Sequence, residues 1–472
     1  MKKSTFGIGG IFWKLPVVAQ SIKSKIGWIN QQARENWGEI LLVVALAASA
    51  GIASYLGAQL IHPWLLTDRG ADLWFSADIP RVFANMTDRF SNHSRTKVHP
   101  IFSLIAFPPV FLMHKVLGLD ALTAVRIAIA AVAALCIMAL FIVLRLIGCR
   151  RFDAALFSIL GATSAAAMFW FIVPETYPFG ALSILAGLCL AAIAQYRKLS
   201  AQWYAVVSAA TLSITTTNWM VGILATLAKY RRKWAWKITL DALCLNIVLW
   251  SVQKSIFPSA GFFIVLGDSE EKNYMLRQAS GGFWHVLQSF VAHTMVMPDM
   301  RIIPHWKKFE LLRVLTQRAI PGSASVWGTV AVILWMALLA LGIWGFFAAK
   351  QHRQLRIVLG FSILGQLALH TVYGEETFLY SLHFLPLLIV LAAFSTQTPA
   401  RSIGLVLAGM LVLTAGVNNG LQLLKAKEVM NSQAAPRTQL LKQMQQRPTD
   451  PSTPGVGSFD VAVNLKTTSD RR

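Results

Sequence analysis

Ile40-Leu41-Leu42-Val43-Val44-Ala45-Leu46-Ala47-Ala48-Ser49-Ala50-Gly51-Ile52-Ala53-Ser54-Tyr55-Leu56-Gly57-Ala58-Gln59-Leu60-Ile61 carries no charge. As a helix it is about 33 Å long, enough to cross a hydrocarbon core of about 30 Å. An acidic, aromatic loop follows: Thr67-Asp68-Arg69-Gly70-Ala71-Asp72-Leu73-Trp74-Phe75-Ser76-Ala77-Asp78, continuing to His99-Pro100. A span followed by such a loop gathers titratable groups at one membrane face. That placement suits chemistry on a lipid-linked substrate.

The rest of the chain repeats the first half of that pattern. Only 14% of its 472 residues are charged, and 55% are hydrophobic. A soluble domain carries about 25% charged residues. Apolar stretches near span length recur, while the alternation of a lipid-facing barrel strand is absent. The fold class is therefore all-α, a polytopic helical membrane protein. The net charge of +22 is read as Lys and Arg held in short cytoplasmic loops, so no nucleic-acid partner is expected. Cys136, Cys149, Cys189 and Cys244 lie in or beside apolar stretches without metal-like spacing.

Charge asymmetry orders the spans. Residues 1–39 read as a basic cytoplasmic tail with an interfacial helix within 11–29, too long and polar for a cleaved signal peptide. The transmembrane domain covers 40–421. Its expected spans are 40–61, 121–147, 152–173, 179–196, 236–257, 324–349, 355–372, 378–394 and 403–421. Residues 203–228 have basic residues on both flanks, which predicts a helical hairpin turning near Asn218. With that hairpin counted twice, about eleven helices cross. The external loops are 62–119 and 258–323, and each carries an apolar piece read as an interfacial helix, 101–117 and 283–297. Were 101–117 to cross, Arg145, Arg150 and Arg151 would face outward, against the positive-inside tendency. Residues 422–472 read as a polar, flexible tail with one short helix.

This topology puts Asp68, Asp72, Asp78, Asp88, Glu175, Glu375 and Glu376 on the outer face. Carboxylates at the membrane edge are costly unless they are paired, so their gathering points to a site; charges also simply prefer the aqueous side. Asp78 and Asp72 have apolar neighbours that suit a general base. Asp78, followed by Pro80, equally fits a helix cap. Arg126, near the outer end of its span, suits either a phosphate or lipid headgroups. His99, Arg126, Glu175, Tyr177, Glu376, Tyr380 and His383 are the candidate substrate contacts at this level. A lone histidine near a helix end is more often structural. Asp268, Glu270 and Glu271 are candidate ligands for a divalent cation, with an exposed acidic loop as the plainer reading. Asn85-Met86-Thr87 and Asn92-His93-Ser94 match a glycosylation sequon that has many chance matches.

Asp78, then His99-Pro100, then Gly118 and Arg126 opening the second span, resembles the C-type fold (GT-C) of membrane glycosyltransferases. Protein O-mannosyltransferases and aminoarabinose transferases belong to it. Phe378-Leu379-Tyr380-Ser381-Leu382-His383-Phe384-Leu385-Pro386 looks like a late-span pattern of such enzymes. In place of the family's Asp-Glu pair, Asp78 precedes Ile79; in place of a double proline there is Pro100 alone. The resemblance implies transfer of a sugar from a polyprenyl-phosphate donor to an acceptor at the outer face of a bacterial inner membrane, with a first-loop aspartate as base. A transporter or lipid flippase is the alternative, and so is a surface-polysaccharide polymerase or ligase using Arg301, His305 and Arg313.

Overall fold

The computed structural model describes residues 36–67, 72–264, 270–305 and 308–434. The 11–29 helix, Asp68 and Asp268 lie outside them. Fifteen helices order the described chain: α1 (Trp37–Gln59), α2 (Ile79–Thr87), α3 (Phe102–Phe111), α4 (Ala121–Leu146), α5 (Arg151–Thr163), α6 (Ala165–Trp170), α7 (Tyr177–Ile193), α8 (Ala201–Ile214), α9 (Trp219–Lys229), α10 (Arg232–Ile256), α11 (Phe283–Gln288), α12 (Val326–Ala348), α13 (Arg353–Val372), α14 (Ser381–Ala393) and α15 (Arg401–Ser432). Shorter helical turns lie between them. An antiparallel hairpin, β1 (Arg301–His305) and β2 (Lys308–Leu315), is the one exception to helix that the sequence reading did not foresee.

Among the described residues, seven helical segments are long and apolar enough to cross a membrane: α1, α4, α10, α12, α13, α15 and Thr377–Gln397, which contains α14. Their apolar residues do not all turn inward. Ile52 is 61% exposed on α1, Phe347 75% on α12 and Leu413 71% on α15. Such belts suit lipid rather than water, and mark a helical membrane protein. Glycine lets α12 close on α14: a Cβ at Gly342 would stand 2.5 Å from the Leu391 carbonyl oxygen, and one at Gly345 would meet the Phe394 carbonyl.

Polar contacts sort the helix ends into two groups. At one end Arg145 donates to Glu39 at 2.7 Å, Arg151 to Glu39 at 3.0 Å, Arg401 to Asp153 at 2.6 Å, and Tyr196 to the Leu146 carbonyl at 2.7 Å. At the other, Arg126 donates to the Ile61 carbonyl at 3.0 Å and the Ile101 amide to the Ser213 carbonyl at 2.7 Å. Gln253 there donates to the Pro100 carbonyl at 2.6 Å. The basic clusters flank the first end; the loops with the candidate site residues cover the second.

The 203–228 stretch folds as the expected hairpin. Helices α8 and α9 lie side by side, with Trp219 donating to Ser208 at 3.0 Å. Tyr204 and Tyr230 meet edge-on at 5.1 Å at the open end of the hairpin, away from its turn. Helix α3 and the π turn Leu112–Val116 that extends it begin beside Ser213 and end just before α4, so both ends lie at the loop-covered end of the bundle.

Three segments depart from expectation. The 152–173 stretch breaks at Ser164, which caps α6 by accepting from the Ala167 amide at 3.2 Å. The 283–297 piece does not lie flat: the Ala165 and Ala166 amides of that break donate to the carbonyls of Met295 and Thr294, both at 3.0 Å. Trp335, mid-way along α12, donates to the Val291 carbonyl at 2.8 Å. Broken spans need outside partners for their freed backbone groups, and this re-entrant piece supplies them. Finally, 422–432 continues α15 unbroken instead of starting a separate tail helix.

Candidate functional site

The loop carrying Asp78 is anchored before it reaches the carboxylate. The Val314 amide of β2 donates to the Leu73 carbonyl at 3.0 Å, and the Phe75 amide donates back to the Val314 carbonyl at 3.1 Å. Trp74 and Phe75 are fully buried. Phe75 packs at 5.0 Å from Phe378 and 5.7 Å from Phe169. Phe75 and Ser76 both take positive φ, 50° and 61°. An aromatic residue in that region costs about 1–3 kcal/mol and persists only where its surroundings impose it. Here the aromatic cage imposes it, and the chain turns to start α2 at Asp78.

Asp78 holds the N-cap position of α2, with Pro80 in the first turn, but its side chain makes no capping bond. Its Oδ2 faces Arg81 Nη1 at 3.2 Å and Arg95 Nε at 3.4 Å. The carboxylate is 27% exposed, so it is both paired and reachable. Asp72 lies at the edge of the described residues, half-buried, just before the Leu73 anchor.

Glu175 approaches from the turn between α6 and α7. It is 2% exposed; Oε2 accepts from the Thr176 amide at 2.8 Å, and Oε1 has no partner. Burial, with the nearby charge of Asp78 adding to it, pushes the Glu175 carboxyl up to about 8. His99 ties three elements together. Its Nδ1–H donates to the Ile214 carbonyl at 2.9 Å, which leaves Nε2 as the acceptor, 3.5 Å from Thr176 Oγ1. Burial, then the Arg95 charge, pushes the imidazole down to about 3, so it stays neutral. The Gln253 bond to the Pro100 carbonyl fixes the next residue. His99-Pro100 is thus a structural knot against the α8–α9 hairpin as well as a neighbour of Glu175.

Tyr177, Tyr380 and His383 also come together. The Tyr177 ring stands 5.6 Å from Tyr380 and 5.5 Å from His383. His383 Nε2 is buried without a partner. Gly180 makes the approach possible, because a Cβ there would collide with the His383 ring.

Two candidates stand apart. Arg126 spends a guanidinium nitrogen on the carbonyl of buried Ile61, just past the end of α1, which satisfies an acceptor at that helix terminus. Glu376 is buried and holds the second loop: it accepts from the Thr316 amide (3.0 Å), the Thr316 hydroxyl (2.5 Å) and the Gln317 amide (3.0 Å). Burial pushes its carboxyl up, against those donors. Saturated in this way, it latches the loop rather than offering a ligand site. Glu375 beside it pairs with Arg277.

Among the described residues no group of three or more His, Cys, Asp or Glu is placed to hold a metal. Glu270 and Glu271 open a short helical turn, Glu270–Tyr274. Arg81, Arg95 and Thr176 were not singled out from the sequence. Arg81 was legible as the i+3 partner of Asp78. Arg95 was not, because its pairing depends on the fold of the loop.

No family model, curated protein or solved structure matches this chain.

Proposed function

We propose that the protein is a membrane glycosyltransferase of the C-type fold, moving a sugar from a polyprenyl-phosphate donor to a hydroxyl acceptor. The observation that carries this reading is the Asp78 carboxylate, partly exposed, ringed by Arg81 and Arg95 and set above the buried Glu175. A base and cations share one small volume at one end of the bundle. In the proposed step the acceptor oxygen bonds to the anomeric carbon as the bond from that carbon to the phosphate oxygen breaks. Asp78 takes the hydroxyl proton, and the phosphate leaves on its lipid while the arginines meet its charge. Asp72 is the alternative base. His99, Tyr177, Tyr380 and His383 present hydroxyl and imidazole groups suited to a sugar.

The same proposal includes eleven crossings: the seven long segments, the broken α5–α6, α7, and the two short arms α8 and α9. The basic end is then cytoplasmic, and the site lies on the outer face of the inner membrane. Alternation of contacts between the two ends along the chain supports this count.

A second reading has support of its own. Ser362, Gln366 and His370 form a buried stripe along α13, and Gln366 donates to Asn218 in the hairpin turn at 3.3 Å. Buried polar residues beside a broken helical element also suit a transporter. Transfer of labelled sugar from a panel of polyprenyl-phosphate sugars, using membranes with wild-type protein or Asp78→Asn, separates the two. Transfer that Asp78→Asn abolishes supports the enzyme. No transfer, together with substrate movement across reconstituted vesicles, overturns it.

A further inference from the structure

Helices α9 and α13 run antiparallel, and Met220 lies on Gly365 toward the loop-covered end. Toward the basic end they leave a groove of about 520 Å³ between them. Leu224, Leu227, Ile357 and Phe361 line its walls, and Arg353, the first residue of α13, lines it at the basic end. Leu227 and Phe361 are exposed, so the groove opens sideways along the apolar belt.

Its charge distinguishes it from an ordinary lipid-facing surface. Arg353 is exposed and forms no ion pair among the described residues. Glu39 and Asp153, carboxylates of this end, are already held by Arg145, Arg151 and Arg401. Lys229 ends the neighbouring helix, and Arg231 and Arg232 follow it. An apolar groove therefore ends at an uncompensated guanidinium, a group that binds phosphate through two parallel hydrogen bonds.

We propose that this groove is a binding site for one anionic glycerophospholipid, its phosphate on Arg353 and an acyl chain along Leu224, Leu227, Ile357 and Phe361. The site lies at the opposite end of the bundle from Asp78 and does not rest on the transferase reading.

Native mass spectrometry of the delipidated full-length protein, titrated with phosphatidylglycerol or phosphatidylcholine, tests it. Wild type is expected to form one tight adduct with phosphatidylglycerol and to bind phosphatidylcholine more weakly. Arg353→Gln, at an exposed position, should weaken the phosphatidylglycerol adduct about five-fold. Ile357→Trp should fill the channel and weaken both adducts, with thermal unfolding confirming that each variant is folded. Equal adducts with the two lipids, or a phosphatidylglycerol adduct that either folded variant leaves unchanged, shows annular lipid only and overturns the proposal.

Discussion

Arg95 Nε stands 3.4 Å from Asp78 Oδ2, and the 16 residues between them are folded so that the first loop closes on itself through this pair. A base held by a cation is correctly aimed. Asp78→Asn keeps the shape and removes the proton acceptor. Under the transferase proposal, sugar transfer should fall by about 10²–10⁴-fold at unchanged protein level. Arg95→Gln should weaken donor use more than it alters folding. Transfer assays on both variants, normalised to protein in the membrane, check this.

Glu175 gives stability a pH dependence of defined sign. Its folded value is raised to about 8 from 4.5. The folded state then holds a proton that the unfolded chain releases, so this contribution is fully present below about 4.5 and lost as pH rises toward about 8. His99, lowered to about 3 from 6.5, acts oppositely, but only below about 6.5. Above about 6.5 the His99 effect is gone, and the raised carboxyl of Glu376 acts in the same sense as Glu175. The Tm of the purified protein should fall between about pH 6.5 and 8, and Glu175→Gln should make that fall shallower. Parallel curves for the two proteins would refute the assignment.

The Glu376 latch predicts a loss of stability. Glu376→Ala strands two backbone amides and a hydroxyl in a buried site, a cost of about 3 kcal/mol. Limited proteolysis within 258–323 should accelerate, and the Tm should drop. Glu376→Gln, which can still accept at one oxygen, should fall between wild type and Ala.

The two ends can be told apart chemically. In a variant with the four native cysteines replaced, Cys at the exposed positions 320 and 353 should react with impermeant maleimide from opposite sides of the membrane. Labelling of both from one side would refute the eleven-crossing proposal.

Much of this architecture was readable in the chain. Hydrophobic length places α1, α4, α12 and α15, because lipid selects for it directly. Basic residues on both sides of 203–228 give the α8–α9 hairpin, since like flanks mean an even number of passes. The break at Ser164 and the re-entrant 283–297 piece were not readable. Each satisfies the other's backbone, and a pairing across more than a hundred residues leaves no local pattern. For the same reason the Val314 seam was invisible: Val314 pairs with Leu73 and Phe75 from a distant loop. At the site, Asp78 and Glu175 were legible as carboxylates at span edges. That Glu376 is consumed by Thr316 and Gln317, while Glu175 keeps an oxygen unpartnered, depends on neighbours that only the fold supplies.

The 308–317 segment is joined along one margin to the Asp78 loop by the Val314 bonds to Leu73 and Phe75, and along the other to the α13–α14 turn by the Glu376 carboxylate. Swinging this cover open would break both seams at once, and both are buried. It is a fixed roof. The amides of Phe75, Val314, Thr316 and Gln317 should therefore exchange with deuterium as slowly as those of the helix bundle itself. Anything that reaches Asp78 has to come in beneath the eaves.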